Sequence, residues 1–115
     1  MDKFVIKGPS KVKGTVNISG SKNASLPILA ASILFDESVE INNLPKVKDI
    51  DTMLLLIQSL GFKIKKNKKK NSVKIIKTKN IHTFAPYSLV KTMRAGILVL
   101  GPLITKFKKA KTSLP

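Results

Sequence analysis

Cysteine is absent from the chain, which excludes disulfides, thiolate metal sites and a cysteine nucleophile within these residues. Tryptophan is also absent. A single histidine and six acidic residues leave little from which to build a protein metal site, so neither a metal nor a cofactor is expected. His82 falls in a polar loop with no neighbour in sequence to orient or tune it as a base. Asp36, Glu37, Asp49 and Asp51 read as helix caps or turn residues rather than as a catalytic pair, so no general acid or base is evident. No apolar run approaches the roughly 20 residues of a membrane span, and Met1–Phe4 lacks the basic and apolar regions of a signal peptide. The expectation is a cytoplasmic protein without a membrane partner. Phosphate-loop, Gly-x-Gly-x-x-Gly and helix-turn-helix patterns are missing too, which leaves the commonest nucleotide and DNA motifs unsupported.

What is present is a chain of 115 residues, 43% hydrophobic, enough for one modest domain with one core. Its net charge of +16 would attract phosphate-bearing partners of any kind. Of the 22 cations only Arg94 is arginine, whereas nucleic-acid surfaces lean on arginine for bidentate and stacking contacts. With few aromatics for stacking as well, the lysine excess reads as compositional background, and a nucleic-acid partner is not expected.

Residues 3–7 and 11–18 carry β-branched residues around Gly8-Pro9, with Val12, Val16 and Ile18 alternating, a hairpin pattern. The polar run Ser19-Gly20-Ser21-Lys22-Asn23 precedes Leu26, Leu29, Ala30, Ile33 and Leu34 at helical spacing, which places a helix start near residue 22. Pro27 is tolerated there if it falls in the first turn. A short strand over Val39–Ile41 is followed by Ile50, Met53, Leu54, Ile57 and Leu60 with helical period, and Gly61 is a natural stop. Residues 62–65 and 73–76 alternate as strands about a charged tip over 66–71. Leu89, Met93, Ile97 and Leu100 form one stripe of a helix broken at Gly101-Pro102, and residues 110–114 begin another strand. The class is α/β (α+β), with helices packed on a mixed sheet.

At the strand-to-helix handover, Lys22 and Asn23 bring a lysine, free backbone N–H groups and a positive helix end together, a geometry that binds anions; an ordinary capped helix start with a solvated lysine is the plainer alternative. Arg94 projects from the edge of the apolar stripe. Lys91, three residues earlier, would share its helical face and form a two-cation patch suited to a phosphate; a flanking surface cation is the alternative.

The run from Ser19 to Ala31, S-G-S-K-N-A-S-L-P-I-L-A-A, closely resembles the S-G-(A/S)-K-N-A-x-L-P-I-L-A-A opening of the peptidoglycan enolpyruvyl transferases, the UDP-N-acetylglucosamine 1-carboxyvinyltransferase family. The resemblance continues through Asn43 to Met53, Ala85 to Ala95 and Leu100 to Leu103, and so spans essentially the whole chain. It implies part of an inverted α/β barrel of the enolpyruvyl transferase type, with two similar domains and the active site between them. By the same resemblance, residues 1–21 are strands of the domain completed by the family's C-terminal half, and residues 22–115 begin the other domain. The implied reaction moves the enolpyruvyl group of phosphoenolpyruvate to the 3'-hydroxyl of UDP-N-acetylglucosamine, releasing phosphate through a tetrahedral intermediate. Lys22 and Asn23 match contacts to phosphoenolpyruvate and the sugar, Lys22 also in a catalytic role, and Arg94 matches a nucleotide-sugar contact. In the family, Ser113-Leu114-Pro115 leads into a mobile loop bearing the proton donor, so the chain is expected to be an N-terminal part, inactive alone. A remnant without activity and a chain completed by a complementary C-terminal partner both remain open. The related shikimate-pathway transferase typically opens K-S-x-(S/T)-x-R at this place, and Lys22-Asn23-Ala24 departs from it.

Overall fold

The computed structural model describes residues 1–114. Helix α1 spans Lys22–Ala31, where a serine precedes the first apolar-periodic residues. Ser21 is extended, and its hydroxyl accepts a hydrogen bond from the Ala24 N–H at 3.4 Å. Pro27 lies in the second turn rather than the first, so the Asn23 carbonyl lacks its usual intrahelical donor. A 3-10 segment, Ser32–Leu34, completes the run. Leu26, Leu29, Ala30 and Ile33 are buried as their spacing predicts, while Leu34 turns outward.

Strand β1 (Val39–Ile41) and helix α2 (Lys48–Ser59) follow, then β2 (Lys63–Asn67) and β3 (Ser72–Ile76). The three strands form an antiparallel sheet in the order β1-β3-β2. Its register sets Val39 opposite Ile75 and Ile64 opposite Ile75, and aligns Glu40, Lys74 and Lys65 across the sheet. Ile75 and Ile64 contribute to the core; on the outer face Glu40 stands opposite Lys74, an opposite-charge neighbour, while Lys74 stands opposite Lys65, a like-charge pair. The hairpin tip is shorter than the charge run implied, because Lys66 and Asn67 remain paired within β2.

Beyond residue 83 the structure departs from the expected broken helix. A two-residue strand β4 (Phe84–Ala85) precedes α3 (Tyr87–Val90), a 3-10 segment (Arg94–Val99) and α4 (Leu100–Phe107). The break falls at Lys91–Met93, and Gly101 and Pro102 sit in the first turn of α4, where a missing N–H costs nothing. Burial shifts accordingly. A 3-10 segment has three residues per turn, so Met93, Gly96 and Val99 face inward while Ile97 is exposed. The expected strand over 110–114 is β5 (Lys111–Thr112), which pairs in parallel with β4, a partner not anticipated. Parallel and antiparallel pairings thus occupy separate sheets.

Residues 1–21 contain no strand and no hairpin, in place of the strands expected there. They form an extended arm on which Val12, Val16 and Ile18 are 97%, 81% and 79% exposed. A strand needs a neighbour for its N–H and C=O groups, and among the described residues the arm has none alongside. Before the Ser21 cap, the one hydrogen bond from the arm to the rest of the described residues is from the Asn43 side-chain amide, which donates to the Ile18 carbonyl at 3.5 Å. The core begins past the arm, as one cluster running from Leu26 through α2 and β3 to Leu103. Within it α1 packs on α2, the Arg94–Val99 segment packs on α1, and α4 packs on Ser32–Leu34.

Candidate functional site

The corner between arm and α1 is held by close backbone approach. A Cβ on Gly20 would lie 1.8 Å from the Asn43 carbonyl oxygen, so only glycine passes there. Asn43 itself takes a left-handed conformation (φ 56°), which asparagine tolerates better than most residues. Past this corner the Ser25 hydroxyl donates to the Ser21 carbonyl at 2.7 Å and the Ser25 N–H to the same oxygen at 2.9 Å, which fixes the first turn.

Lys22 and Asn23 therefore stand at the first two positions of α1, both exposed. Their N–H groups precede any intrahelical acceptor and are open to an anion, and no acidic side chain occupies the first turn of α1 to compete. The Lys22 side chain is not freely solvated. Its Nζ lies 3.1 Å from Asp49 Oδ2, with the two side chains 47% and 38% exposed. Asp49 and Asp51 both fall in the first turn of α2, as helix-start acids should. Asp51 is committed elsewhere, to Lys66 Nζ at 2.9 Å.

Arg94 opens the 3-10 segment that packs on α1, is exposed, and forms no ion pair among the described residues. The two-cation patch expected from helical spacing does not form by that route. Met93 is extended (φ −150°, ψ 109°), which interrupts the helix between Lys91 and Arg94, and Lys91 Nζ instead lies 5.7 Å from the Tyr87 ring centroid. His82 is exposed in a loop, as its polar surroundings implied.

Two features escaped sequence reasoning. Asp49 was legible as a helix-start acid but not as the partner of Lys22, because the two meet only once α1 packs on α2. The Gly20–Asn43 contact likewise joins segments 23 residues apart; the signals were a glycine beside a helix cap and the Asn42-Asn43-Leu44-Pro45 turn. A groove of about 540 Å³ runs between the start of α2 and the β2–β3 hairpin, lined by Val47, Ile50, Leu54, Val73 and the Asp51–Lys66 pair. Lys22, Asn23 and Arg94 lie outside its lining.

Helices packed on a small sheet agree in fold with part of the enolpyruvyl transferases. Residues 6–115 match the EPSP synthase (3-phosphoshikimate 1-carboxyvinyltransferase) family, and the chain belongs to that family. Within it, the chain is 61% identical over 115 residues to the UDP-N-acetylglucosamine 1-carboxyvinyltransferase of Pelagibacter ubique (strain HTCC1062), covering 100% of this chain and 27% of that protein. It is 52% identical over 116 residues to the enzyme of the same name from Escherichia coli O1:K1 / APEC, with the same coverage. The chain thus spans about a quarter of the length of these curated relatives. Among solved structures, the enolpyruvyl transferase NikO from Streptomyces tendae superposes with a TM-score of 0.70 at 18% identity, over 85% of this chain and 22% of that one. At that identity the likeness concerns the fold.

Proposed function

We propose that this chain forms the N-terminal part of an enolpyruvyl transferase that moves the enolpyruvyl group of phosphoenolpyruvate to the 3'-hydroxyl of UDP-N-acetylglucosamine, the first committed step of peptidoglycan synthesis, in the cytoplasm. The observation that carries the reading is the start of α1, where Lys22 and Asn23 combine a side-chain cation with unpaired backbone donors. Lys22 sets its charge beside the phosphate and carboxylate of phosphoenolpyruvate and offsets charge that grows as the tetrahedral intermediate forms. Asn23 contacts the same substrates, and Arg94, on the segment packed against α1, takes the nucleotide sugar. The arm, residues 1–21, belongs with the domain that the remaining three-quarters of the relatives' length completes, and residues 22–115 begin the other domain. The remaining three-quarters is supplied either in continuation of this chain or by a complementary C-terminal chain as partner. Relatives of 52–61% identity bearing the UDP-N-acetylglucosamine name favour that acceptor over 3-phosphoshikimate, as does Lys22-Asn23-Ala24.

The test mixes the chain with a second chain carrying the rest of the Pelagibacter relative and assays phosphate release from phosphoenolpyruvate. Release is expected with UDP-N-acetylglucosamine and not with 3-phosphoshikimate, and Lys22→Ala should lower it by about 100-fold or more. Release only with 3-phosphoshikimate, release indifferent to Lys22→Ala, or no release from a mixture that co-elutes as a complex would each overturn the reading.

A further inference from the structure

We infer that Asp49 is a positioning residue for Lys22: it anchors the lysine across the α1–α2 contact so that the ammonium faces the open start of α1. The inference rests on the reading of Lys22 given above and goes beyond it by naming the group that aims the lysine.

Lysine reaches its site on a flexible stem, and without an anchor its charge would be spread over many rotamers. Here Nζ lies 3.1 Å from Asp49 Oδ2. An ammonium has three donors, so an ion pair with a single Asp49 oxygen leaves donors for an incoming anion. Both ends of the pair are rooted in fixed backbone. On the lysine side stand the Ser21 cap and the two bonds from Ser25 to the Ser21 carbonyl. On the aspartate side, Val47 N–H donates to Pro45 O at 3.0 Å, Ile50 N–H to Val47 O at 3.1 Å, and the Thr52 hydroxyl to Lys48 O at 3.1 Å. The division of labour in this turn is itself informative. Residues two apart on a helix point in nearly opposite directions, and the structure uses both: Asp49 toward Lys22 of α1, Asp51 toward Lys66 of β2. Asp51 is therefore a built-in control, equal in charge and in its benefit to the start of α2 but with no part in holding Lys22.

The pair is half exposed, which bounds its strength and keeps Lys22 accessible. The experiment follows the Lys22 ε-methylene by NMR in the full chain, with the signal assigned by its loss in Lys22→Gln. The two ε protons should be inequivalent and ordered in the parent chain and in Asp51→Asn, averaged in Asp49→Asn, and partly restored in Asp49→Glu. An unchanged ε-methylene in Asp49→Asn, or equal averaging in Asp51→Asn, overturns the inference. Phosphoenolpyruvate titrated at low salt should shift the Asn23 amide, with affinity up to about fivefold weaker in Asp49→Asn than in Asp51→Asn, the size a half-exposed pair can carry. Equal affinity in the two variants overturns the positioning role. Phosphoenolpyruvate that binds none of the chains even after the complementary part is added counts against the proposed function, while the ε-methylene result stands on its own.

Discussion

Gly61 and Gly101 have the same side chain and opposite consequences. Gly61 ends α2 at φ +102°, and a Cβ there would lie 2.0 Å from the Asn80 carbonyl oxygen. Its own carbonyl accepts from the Thr78 hydroxyl at 2.7 Å, so the backbone has little room to yield. Gly61→Ala should destabilise the chain by about 2 kcal/mol or more, from strain at positive φ together with overpacking. Gly101, in the first turn of α4, has nothing within 4 Å of its would-be Cβ. Gly101→Ala should be neutral or stabilising by about 0.5 kcal/mol, since only unfolded-chain entropy and helix propensity change. Urea unfolding of the two variants beside the parent checks both, and like signs would refute the distinction. At this scale the placement of Lys22 and Asn23 at an exposed helix start was legible from one local run, whereas the helical face expected to join Lys91 and Arg94 was not. Nor was Asp49 as the partner of Lys22, because sequence carries helix-start chemistry but not which neighbouring helix the acid will face.

Elements that carried a strong period were legible, and those built on non-local pairing were not. α1, β1, α2, β2 and β3 follow from apolar spacing of 3.6 or 2 with turn residues between them. The β4–β5 pair is two residues long and joins positions 27 apart, so no window of sequence contains it. The segment from Arg94 misled because a three-residue period and a 3.6-residue period share many apolar positions over one turn. The placement of α4 has an electrostatic component as well. Asp36 pairs with Lys106 Nζ at 2.6 Å and accepts a hydrogen bond from Lys77 Nζ at 3.1 Å, tying the loop before β1 to α4 and to the end of β3. These contacts, Lys106 foremost and then Lys77, hold the Asp36 carboxyl below its ordinary value of 3.8. A carboxyl whose folded value is depressed adds stability that is fully present above its unfolded value and is lost as pH falls through the folded one. The contribution of this clamp should therefore persist near neutrality and fade only below pH 3.8. Asp36 is open to solvent, so the effect is small and screened by salt. Melting curves should show Asp36→Asn less stable than the parent at neutral pH, with the gap closing in strong acid and in about 1 M salt, where the screening length falls to roughly 3 Å. A gap that widened on acidification would reverse the sign and refute the assignment.

Considered whole, the molecule joins a packed core to an arm that has the sequence of strands without their partners. Phe4, Val5, Ile6, Val12, Val16 and Ile18 stand exposed on it, and none belongs to the core cluster. The β-branched alternation predicts strands, and the structure forms none there, because β-propensity reports fit to a sheet that must already exist. Ahead of its Ser21 end the arm is tethered to the other described residues by one 3.5 Å side-chain bond from Asn43 and gains almost no backbone hydrogen bonding from them. Its amides should therefore exchange with solvent at nearly free rates, whereas those of α2 and β3, inside the core, should be protected toward the global limit. Hydrogen exchange read residue by residue tests this, and protection of residues 3–18 in the isolated chain would show that the arm has found a partner within or between copies. The same measurement bears on the domain division proposed above. Once the complementary chain is added, Val12, Val16 and Ile18 should gain protection together and in alternation with their neighbours, as a strand entering a sheet does. Protection gained only around Lys22 and Arg94, with the arm still exchanging freely, would place residues 1–21 outside the other domain and leave the substrate site as the sole contact between the two parts.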